Sequence, residues 1–156
     1  MPALTEALLT PLLGKHIGAI CPVGYDADAD NHCAHFVSHV LGYQYGVTCL
    51  TMSNGKGTPA SIRVQDLFAH CLQVGQWDTR PFPLAWGLVF ITNAANVNVR
   101  QKRLDNVPKK HVGIYFNYGR IYHYSNTQHQ VVSQTPEEFS THYPAPNNAM
   151  FWAAAP

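Results

Sequence analysis

The clearest structural pattern in the chain is Lys110-His-Val-Gly-Ile-Tyr-Phe-Asn-Tyr-Gly-Arg-Ile-Tyr-His-Tyr-Ser125. It contains two strand-like segments, His111–Phe116 and Arg120–Ser125, separated by Asn117-Tyr118-Gly119. This pattern predicts a β-hairpin with a three-residue turn, in which Gly119 takes the position that needs a positive φ.

The predicted hairpin brings two histidines together. Side chains alternate between the two faces of a strand, so His111 and Gly113 share a face, and His123 lies opposite Gly113 on that same face. Diagonal neighbours on a sheet are about 7–8 Å apart, within reach of two imidazole rings, and Gly113 leaves the space between them open. A two-residue turn would move His123 to the other face.

A helix is predicted upstream, in Asn31-His-Cys-Ala-His-Phe-Val-Ser-His-Val-Leu41, with Gly42 as its stop. On this helix Cys33 shares a stripe with Phe36, Val37 and Val40. Cys33 therefore belongs to the packed face, at the helix N-terminus. The helix dipole and the unpaired N–H groups there favour a thiolate and can also form an oxyanion hole.

Cys33, His111 and His123 are the residue types of a nucleophile–base–orienter relay, in which His111 would be the base and His123 would orient it. Taken one at a time, the alternatives are an inert buried cysteine and two hydrogen-bonded sheet histidines. Finding all three residues in suitable contexts favours the relay.

Four segments of the chain resemble the NlpC-type papain-like cysteine peptidases, which are related to the CHAP amidases. They are Cys33-Ala-His-Phe-Val37, Trp86-Gly-Leu-Val-Phe-Ile91, His111-Val-Gly-Ile-Tyr115 and Ile121-Tyr-His-Tyr-Ser125. The resemblance runs from about Cys33 to about Glu138. Its most specific part is the His-Val-Gly-Ile-Tyr segment, followed by a histidine twelve positions after His111.

The resemblance implies an α+β, papain-like fold with N-terminal helices and the nucleophile helix packed on a central antiparallel β-sheet. It implies a Cys33–His111–His123 triad that hydrolyses an amide bond through an acyl-enzyme, in bacterial peptidoglycan stem peptides. Tyr25 and Gly113 are the candidates for oxyanion or substrate contacts. The sequence departs from the family around the nucleophile, where His32-Cys33-Ala34-His35-Phe36 replaces Asp-Cys-Ser-Gly-Phe, so the substrate stays open.

Composition fits one domain spanning residues 1–156. Of the 156 residues 46% are apolar and only 12% charged, with net charge +1. This composition excludes a disordered chain, a coiled coil and a nucleic-acid binder.

Met1–Val23 lacks a basic start, so we expect no signal peptide and a protein that is cytoplasmic or exported by a phage or secretion system. Leu84–Ile91 is too short to span a membrane. The expected partners are a peptide or peptidoglycan fragment and an inhibitor or immunity protein.

The remaining segments predict further elements of an α+β domain. They are a helix over Thr5–Leu13, a loop over Gly46–Pro59, a helix capped by Ser61 and ended by Gly75, a buried strand over Leu84–Thr92, a loop over Asn93–Lys110, a strand over Gln130–Val132 and a helix that begins after Thr135.

We expect no metal and no cofactor. His32, Cys33, His35 and His39 could be zinc ligands, but Cys33 points away from the histidine face, which we interpret as the solvent face of the helix. An EF-hand at Asp26–Asp30 and a phosphate loop at Asn54–Thr58 fail at required positions. Cys21, Cys49 and Cys71 are interpreted as buried free thiols, although a pairing among them stays open.

A basic segment precedes His111. It contains Arg100, Lys102, Arg103, Lys109 and Lys110. We interpret it as a solvated loop; the alternative is a rim that attracts an anionic substrate.

Two other functions remain open for the whole chain: a non-catalytic binding module on the same fold, and a thiol acyltransferase or esterase.

Overall fold

A computed structural model describes residues 3–156 and has an α+β architecture in which helices pack on an antiparallel sheet. Met1 and Pro2, the beginning of the segment without signal-peptide character, lie outside the described residues. In the described part of the chain, no helix combines the length and the apolar composition that crossing a membrane requires.

Five α-helices occur among the described residues. They are α1 (Glu6–Leu9), α2 (Cys33–Leu41), α3 (Cys49–Met52), α4 (Val64–His70) and α5 (Pro136–Ser140). Short 3-10 turns extend or connect them at Thr10–Leu12, Ile17–Ala19, Trp77–Thr79 and Ala94–Asn96.

Eight strands occur in the same range. They are β1 (Gln73–Gln76), β2 (Trp86–Thr92), β3 (Val97–Asn98), β4 (Arg103–Leu104), β5 (Lys110–Phe116), β6 (Arg120–Ser125), β7 (Gln130–Gln134) and β8 (Ala149–Ala154). Six of them form one antiparallel sheet in the order β1-β8-β2-β5-β6-β7, and β3 pairs with β4.

The β5–β6 hairpin has the predicted register. Ile114 lies opposite Tyr122, and Phe116 lies opposite Arg120 across a three-residue turn. The turn chemistry differs from the prediction, because Asn117 and Tyr118 have positive φ angles and Gly119 does not. Turn length alone therefore fixes the face on which His123 lies.

Helix α2 ends as the sequence predicts. Gly42 adopts a φ of 75°, and its N–H bonds to the Ser38 carbonyl, a left-handed cap that glycine adopts without strain. The helix packs on β5 and β6.

Several parts of the chain differ from the predicted elements. The predicted loop over Gly46–Pro59 contains α3, and the predicted loop over Asn93–Lys110 contains the β3–β4 pair. Ser61 does not cap α4, since its hydroxyl bonds to the backbone of Tyr45 instead. Gly75 ends no helix; it lies in β1, where an added Cβ would come within 2.5 Å of Trp152 Nε1. The C-terminal strand β8, which the sequence reading missed, fills the sheet position between β1 and β2.

The two faces of the sheet border different sets of side chains. Val112 and Ile114 of β5 face the larger core, which includes Cys33 and other residues of α2. Tyr115 joins a smaller cluster on the opposite face with Phe139 of α5. The odd-numbered residues of β5, including His111, therefore face α5, and the even-numbered residues face α2.

Candidate active site

His111 and His123 are hydrogen-bonded to each other at the centre of the candidate site. His111 Nε2 lies 2.8 Å from His123 Nδ1, and the two rings meet nearly edge to face. Both side chains are buried. The predicted juxtaposition of the two histidines on one sheet face is therefore present.

Gln134 fixes the protonation pattern of this pair. His123 Nε2 lies 2.7 Å from the carbonyl oxygen Oε1 of Gln134, which can only accept, so Nε2 donates. A neutral His123 then has an unprotonated Nδ1, which accepts from His111 Nε2–H. His111 is left with a lone pair on Nδ1, and that atom is buried without a hydrogen-bond partner among residues 3–156.

Cys33 is the first residue of α2, and its side chain is fully buried. Its N–H donates to Asn31 Oδ1 at 3.0 Å. Asn126, just after β6, donates to the same oxygen and accepts from the N–H of His32. These bonds tie the start of α2 to the end of the strand that carries His123.

Burial makes the Cys33 thiol a weak acid. It raises the pKa of Cys33 to about 11, although the nearby backbone N–H groups of Val112 and Ala34 act to lower it. The helix terminus thus acts in the expected direction, but desolvation outweighs it. A pKa of about 11 favours the neutral thiol over the thiolate at rest.

Within residues 3–156, no hydrogen bond connects Cys33 with His111. Cys33 packs in the core on the α2 side of the sheet, whereas His111 faces α5. The Val112 N–H is near enough to the Cys33 sulfur to lower its pKa, so the thiol lies close to the backbone of the residue after His111. Contact between the thiol and the His111 base remains a prediction.

Both histidines are held in the neutral form. Burial, followed by the neighbouring His123 and His142, sets the pKa of His111 well below 6.5. Burial also lowers the pKa of His123 to about 4, although its bond to Gln134 acts in the opposite direction. At neutral pH both imidazole rings are uncharged, so the relay can accept a proton.

Sequence reasoning missed three residues of this site. Gln134 lies on the face of His123, which a longer β7 would have shown through strand alternation. His142 stacks on His111 with ring centroids 4.0 Å apart. Tyr143 follows it, and its pKa is raised by burial and by the nearby Cys33. The capping box of Thr135 and Glu138 predicted α5, but no local signal indicates where the chain goes after this helix.

Tyr25 and Gly113 lie in different surroundings from those expected of oxyanion groups. The Tyr25 ring packs edge-on against His32 and His35, and no hydrogen bond joins it to Cys33 within the described residues. A Cβ on Gly113 would come within 2.7 Å of the Ile121 side chain. Gly113 therefore allows close packing of β5 on β6, and it does not border open space.

The interpretation of His32, His35 and His39 as a solvent face is wrong. His32 and His35 are buried and His39 is half-buried. The N-terminal segment covers this side of α2, placing Cys21 beside His35 and His39. Helical periodicity defined the face correctly but could not show that a distant part of the chain packs on it.

The basic segment is only partly solvated. Lys102 donates to the Cys71 carbonyl, while Lys110 bonds to Asn106 and to the Val107 carbonyl. A pocket of about 240 Å³ opens beside Lys110, with Asn31 and Arg63 also in its wall. It adjoins both Asn31, which binds the Cys33 backbone, and the start of β5.

A larger pocket, of about 380 Å³, lies near β8 and is lined by Trp77, Met150 and neighbouring residues. Neither pocket is lined by a predicted triad residue. The smaller pocket is the nearer to the candidate site, because it contains Asn31, which bonds to the Cys33 N–H, and Lys110, which precedes His111.

Comparisons of the chain with family models, with curated proteins and with solved structures found no match.

Proposed function

We propose that the protein is a cysteine peptidase or amidase of papain-like fold, in which Cys33, His111 and His123 hydrolyse an amide bond through an acyl-enzyme. The observation that carries the proposal is the relay from Gln134 through His123 to His111. This relay leaves an unpaired, unprotonated imidazole nitrogen buried on His111, the residue before Val112, whose backbone N–H lies near the Cys33 sulfur.

The relay supports a general-base mechanism. As the Cys33 sulfur attacks the substrate carbonyl carbon, its proton passes to His111 Nδ1. The tetrahedral intermediate then breaks its C–N bond, and His111 returns that proton to the departing amine. A water molecule, deprotonated by His111, next attacks the thioester; the acid product leaves and the proton returns to sulfur. His123 and Gln134 hold the His111 ring in the required tautomer throughout.

Access to the thiol requires a change in the site, because Cys33 is fully buried. Lys110 and Tyr143 are the partly exposed side chains whose ionisation is coupled to that of the thiol. We propose that substrate binding shifts Tyr143 and admits the scissile bond beside Cys33. The same step must also bring the thiol from the α2 side of β5 to His111, which lies on the α5 side.

The substrate class follows from the resemblance to NlpC-type peptidases, which act on peptidoglycan stem peptides. The small pocket is consistent with a substrate that carries a carboxylate, because Arg63 and Lys110 line it and the other six lining residues are neutral. A positive pocket concentrates anionic ligands by simple Coulomb attraction.

The complete burial of Cys33 and His111 also favours a second candidate, a binding module on the same fold that does not catalyse. Such a module would bind the same peptides but leave them intact. Binding and cleavage must therefore be measured on the same ligand.

Purified stem peptides and muropeptides, incubated with the protein and analysed by mass spectrometry, test the proposal. We expect the wild-type protein and Cys71→Ala to cleave one amide bond, while Cys33→Ala and His111→Ala lose at least the roughly 10²-fold that a general base contributes. Cys71 is the matched control because it is equally buried but lies outside the site. Binding without cleavage by every variant would instead establish the binding module.

A further inference from the structure

We propose that Cys21, His35, His39 and Cys49 form a structural binding site for a divalent metal ion, with Zn²⁺ as the expected ion. The four ligand atoms, two sulfurs and two imidazole nitrogens, all lie within 4.8 Å of one another. In a tetrahedral zinc site the ligand atoms are about 3.3–3.8 Å apart, given the usual Zn–N and Zn–S bond lengths. Two thiolates and two neutral imidazoles are a common donor set for structural zinc.

The spacing inside the cluster is already close to that geometry. His39 Nε2 lies 3.1 Å from His35 Nε2, and Cys49 Sγ lies 3.9 Å from His39 Nε2. The two histidines converge because residues four apart on a helix share a face. Small shifts of the side chains would admit a metal ion at the centre.

A second hydrogen-bonded relay orients His35. His32 Nε2 lies 2.8 Å from the Ala27 carbonyl oxygen and must donate to it. A neutral His32 then accepts, through Nδ1, from His35 Nδ1 at 3.1 Å. His35 Nε2 is therefore unprotonated and directed into the cluster. Metal-bound histidines are commonly oriented in this way through their other ring nitrogen.

One backbone N–H group is directed at the Cys49 sulfur. The N–H of Ala60 donates to Cys49 Sγ at 3.3 Å. The capping box between Thr48 and Thr51 fixes the start of α3, where Cys49 is the first residue. An N–H group directed at sulfur favours the charged form that binds a metal.

The ligands come from three separate parts of the chain. Cys21 follows the 3-10 turn at Ile17–Ala19, His35 and His39 belong to α2, and Cys49 begins α3. A bound ion would fasten the N-terminal segment and α3 to the face of α2 opposite Cys33. Two thiol protons are released when the ion binds, and the complex with two thiolates and two imidazoles is neutral. With four protein ligands the site has no open position, so its role is structural.

The test is the zinc content of the purified full-length protein. Zn²⁺ is added, the unbound ion is removed by exhaustive dialysis, and the bound zinc is measured by elemental mass spectrometry. We expect one ion per chain in the wild type, in Cys33→Ala and in Cys71→Ser. Cys49→Ser and His39→Gln should retain less than a tenth of that amount. Retention in Cys33→Ala separates this site from the proposed active site, so either proposal can fail alone.

A wild-type protein that binds no zinc, or Cys49→Ser and His39→Gln proteins that keep a full equivalent, would overturn the proposal. So would a disulfide between Cys21 and Cys49, detected as an intact mass two hydrogens lower than the sequence requires and located by peptide mapping. If the variants do not fold, Co²⁺ added to the wild-type protein provides the answer. Thiolate-to-cobalt charge-transfer and tetrahedral ligand-field absorption bands support the site, and their absence contradicts it.

Discussion

At the scale of single residues, the protonation of the candidate site depends on one amide oxygen. Gln134 Oε1 accepts from His123, and this sets the direction of the next bond, from His111 to His123. Without an acceptor at position 134, His123 could place its proton on either nitrogen. His111 would then lose its defined tautomer.

Replacement of Gln134 tests that dependence. We expect Gln134→Leu to lower kcat by a factor smaller than the roughly 10²–10⁴ that a general base contributes, since His111 itself remains. The matched control is Gln130→Leu in the same strand, whose amide bonds to Gln128 outside the site. Rates of stem-peptide cleavage measure both variants, and equal rates for Gln134→Leu and the wild type would contradict the relay.

The reactivity of Cys33 is a second prediction at this scale. A buried thiol with a pKa of about 11 should react slowly with iodoacetamide at neutral pH and faster as the pH rises toward 11. Removal of the neighbouring side chain in Tyr143→Ala should expose the thiol and speed its labelling at least severalfold. Cys71, whose pKa is raised to about 12 by burial, is an internal reference that this substitution should not affect.

Peptide mapping by mass spectrometry follows both cysteines in one sample. Rapid and selective labelling of Cys33 at pH 6 in the wild type would show a resting thiolate, contrary to the neutral Cys33 thiol described above. Unchanged labelling in Tyr143→Ala would show that another group covers the thiol.

At the scale of elements, the β5–β6 hairpin depends on the absence of a side chain at Gly113. An added Cβ would lie 2.7 Å from Ile121 Cγ2 and 3.1 Å from His123 Cβ. We therefore expect Gly113→Ala to reduce the free energy of unfolding by about 1–3 kcal/mol, the usual cost of overpacking, and to displace His123. Gly119→Ala is the control, since nothing lies within 4 Å of its added Cβ.

Urea unfolding measures the two alanine variants against the wild type. A Gly113→Ala protein as stable as the wild type would mean that the strands separate without cost. It would remove the reason we give for glycine at this position.

The elements also show how far local sequence signals reach. The hairpin, α2 with its Gly42 stop, and the capping box of α5 were predictable, because each depends on residues close together in the chain. Strand β8 and the cover over His35 were not, because each depends on packing between distant segments. The His111–His123 pair was predicted because both residues lie in one hairpin. Gln134, His142 and Tyr143 were missed because they lie outside that hairpin.

At the scale of the whole molecule, buried neutral histidines make stability depend on pH. The pKa values of His111, His123 and His142 in the folded protein lie below the value of about 6.5 for an unfolded histidine. Unfolding therefore takes up protons below pH 6.5. Their stabilisation is complete above that pH and decreases as the pH falls toward 4, by up to about 1.4 kcal/mol per pH unit for each histidine.

Urea unfolding between pH 7 and pH 4.5 checks this dependence. We expect the free energy of unfolding to decrease steadily below pH 6.5 in the wild type and less steeply in His142→Gln. Stability that stays constant from pH 7 to pH 4.5 would contradict the assignment of neutral buried rings.

The central claim is that Cys33 forms a covalent acyl-enzyme with help from His111, and the most direct measurement is the mass of the protein during turnover. Acid-quenched reactions with a stem peptide should show the wild-type chain carrying the acyl fragment, and peptide mapping should locate the fragment on Cys33. Cys71→Ala should give the same adduct, and Cys33→Ala should give none. Peptide cleavage by Cys33→Ala at the wild-type rate, or an adduct on another residue, would contradict the account.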